Sequence, residues 1–153
     1  MIVRAITSAI RNDLDEKIVI LSGPRQCGKT TLSKSLWSKN FQYLSYDSAE
    51  DRSLLNKSQW NRDLELIIFD ELHKMKKWKS WIKGIYDKEG VRPRLFITGS
   101  ARMTQFKKTG DSLAGRHFNG LLKQNYLTAS YRKILKIFSP ISKIHTVFNW
   151  YLS

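Results

Sequence analysis

The run Ile18-Val19-Ile20-Leu21-Ser22-Gly23-Pro24-Arg25-Gln26-Cys27-Gly28-Lys29-Thr30-Thr31-Leu32 decides the reading of this chain. Its first four residues are β-branched or aliphatic and run into Ser-Gly-Pro, the pattern of a buried strand meeting a turn. Gly23 to Thr30 then fits G-x-x-x-x-G-K-[ST], a phosphate-binding loop. Each position has a physical reason. Gly23 and Gly28 allow backbone angles that a side chain would oppose, so successive N–H groups can converge on phosphate oxygens. Thr30 to Ser38, with Leu32 and Leu36 on one side, predicts a helix whose first turn faces the same anion. Lys29 can reach the β- and γ-phosphates. The Thr30 hydroxyl suits Mg²⁺, a hard cation that prefers oxygen. The expected nucleotide-contacting set is Gly23, Pro24, Arg25, Gln26, Cys27, Gly28, Lys29, Thr30 and Thr31. Arg25 reads either as a phosphate contact or as a solvated loop residue. Cys27 reads either as a small filler or as a thiol activated by Lys29.

Working outward, apolar strands alternate with helical patterns. Ile6, Ile10 and Leu14 predict an opening helix. Phe41 to Tyr46 reads as a second strand and Leu64 to Phe69 as a third, apolar enough to be buried on both faces. Met75, Trp78, Ile82 and Ile85 form one apolar helical stripe. Leu95 to Thr98 is a fourth strand, closed by Gly99-Ser100, and His117 to Leu122 a fifth. Tyr131 to Phe138 reads as a basic amphipathic helix ending before Pro140. Residues 47–62 are polar and take no assignment. The alternation predicts an α/β fold with a parallel sheet and helices on both faces.

The third strand delivers Asp70-Glu71 to the carboxyl edge of that sheet, where open α/β sheets bind ligands. Asp70, with Thr30, is the expected Mg²⁺ partner. Glu71 is the expected catalytic residue that polarises a water for attack on the γ-phosphate. Ser100, ending the fourth strand, is expected to sense that phosphate; the alternative is a turn serine capping a helix. A small-molecule P-loop kinase has no need of Glu71, which counts against that class.

Gly-Pro-Arg-x-x-Gly-Lys-Thr-Thr-Leu, Asp-Glu-Leu-His-Lys, Thr-Gly-Ser and Ser112-Leu113-Ala114-Gly115-Arg116 together resemble a prokaryotic AAA+-type ATPase family. Its members carry an N-terminal ATPase domain and a C-terminal domain of unknown function. The resemblance covers about residues 1–118. It implies an additional-strand sheet, with the Thr98 strand between the phosphate-loop strand and the Asp70 strand, and ATP and Mg²⁺ as ligands. It also implies Arg116 as an arginine finger or phosphate sensor, in its own subunit or a neighbouring one; Arg102 is the alternative. Residues 119–153 depart from the family pattern, as a truncated or frame-disrupted product would.

The 153 residues carry 27 Lys and Arg against 13 Asp and Glu, a net charge of +14. Residues 1–111 hold 21 basic and 13 acidic side chains, and residues 112–153 hold 6 basic and none acidic. This shift predicts an ATPase domain over 1–118 and a basic, aromatic-rich tail over 119–153. One cysteine excludes an internal disulfide framework, and no uncharged apolar run approaches the ~20 residues of a membrane span. These features predict a cytoplasmic protein. His73, His117 and His145 lack the neighbours of a zinc site. The charge raises nucleic acid as a partner; for the lysines that interleave with Trp78 and Trp81, a water-facing lysine side with core tryptophans is the favoured reading and nucleic-acid contact the rival. A second copy of the chain is the other partner considered. The reading is an Mg²⁺-dependent ATPase, with a nucleotide-dependent nucleic-acid-binding module of little turnover, or a kinase, as the rivals.

Overall fold

The computed structural model describes residues 2–100, 113, 115–122 and 147–149. Helix α1 (Ile2–Glu16) leads into strand β1 (Ile18–Gly23), and the phosphate loop joins β1 to α2 (Lys29–Ser35). Strand β2 (Phe41–Ser45), helix α3 (Ala49–Asn56) and strand β3 (Leu66–Asp70) follow. A one-turn 3-10 helix (Leu72–Lys74) precedes α4 (Trp78–Glu89), β4 (Arg94–Ser100), β5 (His117–Leu121) and β6 (Val147–Asn149). The strands form one sheet in the order β2-β3-β4-β1-β5-β6, parallel throughout. The Thr98 strand therefore lies between the phosphate-loop strand and the Asp70 strand, as expected.

This order explains the two cores. The chain leaves β1 for the far edge and returns through β3 and β4. Right-handed crossovers then put α2 on one face and α3 and α4 on the other. On the first face, Ile6, Ile10 and Leu14 of α1 join Val19, Leu21, Leu32, Leu36, Ile68 and Phe96. On the second, Ile18, Ile20, Ile67, Phe69 and Ile97 meet Leu55, Ile82 and Ile85. Every residue of β1 and β3 is buried, the signature of strands covered on both sides.

Several local expectations shift. Helix α2 stops at Ser35 rather than Ser38. Ser33 and Ser35 hydroxyls donate to the carbonyls of Thr30 and Leu32, three residues back, which weakens a helix interior. Met75 is buried but precedes α4, because Lys77 takes a left-handed conformation (φ 58°) that breaks the turn. The polar stretch at 47–62 contains α3, whose Ser48 side chain accepts from the Asp51 N–H and whose first turn carries Glu50 and Asp51. The domain boundary expected at 118 falls inside β5, which pairs with β1 from Ile18–His117 to Ser22–Leu121. Trp78 and Trp81 are partly buried against the core, the placement favoured for them from the sequence. The basic helix expected at 131–138 lies outside the described residues. Among the described residues, no helix is long and apolar enough to cross a membrane.

Phe69, Trp60 and Trp81 stack edge to face with ring centroids 5.4–5.8 Å apart. Phe69 is fully buried. Phe69→Ala removes that ring from between two tryptophans and leaves a cavity. It is expected to cost about 3–5 kcal/mol of stability, measured by urea unfolding followed by tryptophan fluorescence. Asp13 of α1 supplies a pH test. Burial, and then the neighbouring Glu16 charge, push its carboxyl up to about 6. The folded state then holds a proton that the unfolded state releases, so this group's contribution falls as pH rises from about 4 through 6. Asp13→Asn is expected to be about 1–2 kcal/mol more stable than the parent at pH 7, with the gap closing below pH 4.

Candidate functional site

The site is assembled at the carboxyl edge of β1, β4 and β3. Gly23, ending β1, stands in register with Ser100, ending β4. A Cβ on Gly23 would collide with the Leu122 carbonyl oxygen, so close packing against the chain after β5 demands glycine there. Gly28 sits at φ 86° and Gln26 at φ 61°, which turns the loop inward before α2. Lys29 is 7% exposed, and its ammonium donates to the carbonyls of Gly23 (3.0 Å) and Pro24 (2.6 Å). Cys27 Sγ lies 3.8 Å from the same nitrogen and packs beside the core, which favours the filler role. Arg25 is exposed and Thr31 is exposed on α2.

Asp70 is 7% exposed, and four groups donate to its carboxylate. They are the Thr98 hydroxyl from β4, the Tyr43 hydroxyl from β2, the Thr30 hydroxyl from α2 at 3.3 Å, and the Glu71 N–H at 3.1 Å. Burial, and then Asp70's hydrogen bond and charge, push the Tyr43 phenol up, so it remains a donor. The structure thus brings the two expected metal partners, Thr30 and Asp70, together. Two hard oxygen donors meeting beside a loop rich in N–H groups fit Mg²⁺ with a nucleoside triphosphate. Tyr43 and Thr98 were not legible from sequence, since only the cross-strand register aims them at Asp70.

Glu71 follows at φ 55°. That left-handed residue ends the strand and opens the one-turn 3-10 helix. Its Oε2 lies 3.6 Å from Lys74 Nζ and 3.7 Å from His73 Nδ1. Lys74 in turn binds both Asp47 oxygens at 2.6 Å, and that hydrogen bond raises its pKa. Ser100 Oγ lies 3.3 Å from His73 Nε2. His73, excluded in the sequence only as a zinc ligand, thus stands beside both Glu71 and Ser100.

Arg116 stands elsewhere. It immediately precedes β5, and its carbonyl accepts the Ile18 N–H at the start of β1. It is thus roughly 17 Å of strand away from its own phosphate loop. Its guanidinium pairs with Asp87 of α4 at 2.7 Å. A finger role within its own chain is excluded by this placement, because parallel strands put the start of β5 beside the start of β1. The alternative, Arg102, lies outside the described residues.

A family profile described as an AAA domain matches residues 15–134. No curated protein matches the sequence. Among solved structures, unliganded Pif1 from Bacteroides sp aligns at 16% identity with a TM-score of 0.44. The alignment covers 89% of this chain and 43% of that one, so this chain spans less than half of that protein's length. The family match takes in most of the chain and all of the phosphate loop, the Asp70 strand and the Ser100 strand, and the chain belongs to the AAA domain family, a nucleotide-binding domain of the P-loop ATPase type.

Proposed function

We propose that this domain binds ATP with Mg²⁺ and hydrolyses it, slowly when the chain is alone. The observation that carries the reading is the meeting of Thr30 and Asp70 at 3.3 Å beside Lys29, from motifs far apart in the chain. Lys29 exchanges its two carbonyl acceptors for phosphate oxygens, and charge-assisted bonds are roughly twice as strong as neutral ones. Thr30 and Asp70 hold the cation, which supplies charge neutralisation on the phosphates. Glu71 takes the proton of a water whose oxygen bonds to the γ-phosphorus, while the bond from that phosphorus to the bridging oxygen of ADP breaks. Ser100 lies at the adjoining strand end, where its hydroxyl can meet the γ-phosphate. A kinase would leave Glu71 without a task.

Arg116 enters as a residue for a neighbouring subunit's ATP, since its own is a strand length away. Fast turnover then requires assembly, and an arginine finger is worth about 10³–10⁵ in rate. Nucleic acid is the weaker partner assignment. The +14 charge supports it, as do the exposed Lys76 and Lys77. A cytoplasmic location suits a chain whose one cysteine cannot pair internally.

Lys29→Ala is expected to abolish binding of labelled ATP; parent affinity in the variant would remove the phosphate-loop assignment. Glu71→Gln is expected to keep binding and lose hydrolysis by about 10²–10⁴-fold, read as phosphate release. A parent rate would move the base elsewhere. Hydrolysis per subunit is expected to rise with protein concentration and to lose that rise in Arg116→Ala. The dilution series, run with and without single-stranded DNA, also tests the nucleic-acid rival, for which ATP turnover stays negligible in every arm.

A further inference from the structure

The carboxylate expected to hold the cation is already fully engaged by the protein. A carboxylate offers about four lone-pair positions on its two oxygens. Oδ1 of Asp70 accepts from the Thr98 hydroxyl and from the Glu71 N–H at 3.1 Å. Oδ2 accepts from the Tyr43 hydroxyl and from the Thr30 hydroxyl at 3.3 Å. A carboxylate so engaged has no position left for a cation or for a water of its shell. Each donor also draws charge from the oxygen, which weakens its hold on a hard cation. One of the four has to yield before Asp70 can hold Mg²⁺. Resting on the ATPase reading, we propose that Tyr43 is the donor that yields, a positioning residue whose phenol plugs the cation position on Asp70 and sets the affinity for Mg²⁺.

The other three donors are badly placed to leave. Thr98 is fully buried on β4, which is paired to β1 on one side and β3 on the other. The Glu71 N–H is main chain, one residue beyond Asp70. Thr30 has no need to leave. Its hydroxyl spends its proton on Asp70 and keeps its lone pairs, so the oxygen can face a cation while that bond persists. A phenol oxygen, conjugated to its ring, is a poorer ligand for Mg²⁺ than an aliphatic hydroxyl or a carboxylate.

Tyr43 is also the donor with room to move. It is half-buried on β2, the edge strand of the sheet among the described residues, with β3 along one flank. The Lys34 ammonium lies over its ring, 4.3 Å from the centroid, one turn along α2 from Thr30. That cation–π contact holds the ring by its face and makes no demand on the hydroxyl. The phenol can therefore exchange Asp70 for water while its ring keeps a partner. Without nucleotide, Thr30 and Asp70 alone would favour the exchange. Phosphate oxygens add to them when the loop is filled. The plug thus biases the site against a bare cation and toward one that arrives with the triphosphate.

The test titrates Mn²⁺, a paramagnetic substitute for Mg²⁺, against the full chain and follows the free ion by EPR, with and without the non-hydrolysable AMP-PNP. Tyr43→Phe keeps the ring and removes the donor. It is expected to bind Mn²⁺ about tenfold or more tightly than the parent, the size set by a hydrogen bond to a charged group. The gap is expected in both arms, since the phenol has to yield in either. Equal affinity overturns the plug, as does undetectable binding by both chains. Weaker binding by Tyr43→Phe overturns it too, and makes the phenol an orienting donor instead. A second measurement needs no variant: in the parent labelled with ¹³Cζ-tyrosine, the Tyr43 signal, assigned through its ring correlations, is expected to move toward the value of a solvated phenol when Mg²⁺ joins the AMP-PNP complex, and to return with EDTA. A signal that stays in place with Mg²⁺ bound overturns the proposal even where Tyr43→Phe does not fold. Failure of AMP-PNP to bind overturns the ATPase reading, and the nucleotide-free Mn²⁺ comparison still decides the part of Tyr43.

Discussion

The structure depends on one buried carboxylate. Asp70 ends a strand with no exposed residue and accepts from side chains on β2, β4 and α2 as well as from its own neighbour's N–H. A carboxylate is costly to bury unless it is hydrogen-bonded. Satisfying this one fixes the relative heights of three strands and the first turn of α2. Parallel pairing makes this possible. It brings the carboxyl ends of adjacent strands to one edge, so polar residues distant in sequence share a single layer above an apolar sheet.

The two apolar faces hold that edge steady. The Trp60, Phe69 and Trp81 cluster lies under the end of β3, one residue below Asp70. On the other face α1 packs along β1 and β4 through Ile6, Ile10 and Leu14. Rigid strands thus carry Asp70 and Ser100. Glu71, His73 and Lys74 sit just beyond a strand end, on a left-handed residue and one short turn. The phosphate-loop lysine and Asp70 therefore belong to the firm part of the site. Glu71, the proposed base, stands beyond the strand, within ion-pair distance of Lys74.

Charge is divided in the same way. Lys74 and Arg116 are engaged by Asp47 and Asp87, while Lys76 and Lys77 project outward. The arginine most suggestive in sequence is tied to α4 at the sheet's opposite edge, and this turns a question about catalysis into one about assembly.

The phosphate loop was legible because its meaning is local. Glycine positions, a lysine and a threonine at fixed spacing specify their own backbone geometry, whatever surrounds them. Apolar runs likewise announced β1, β3 and β4, and helix periodicity announced α1 and most of α4. Helix α3 escaped because its polar surface hid a short pattern whose one clear mark was Ser48 three residues before Asp51. The strand order was reached only through family likeness, since periodicity does not say which strands are neighbours. The Tyr43 and Thr98 hydroxyls on Asp70, the place of His73 beside Glu71 and Ser100, and the distance of Arg116 from the loop were decided by the tertiary structure alone. Each depends on cross-strand register and on which edge of the sheet a residue occupies, and neither is written in the spacing of residues along the chain.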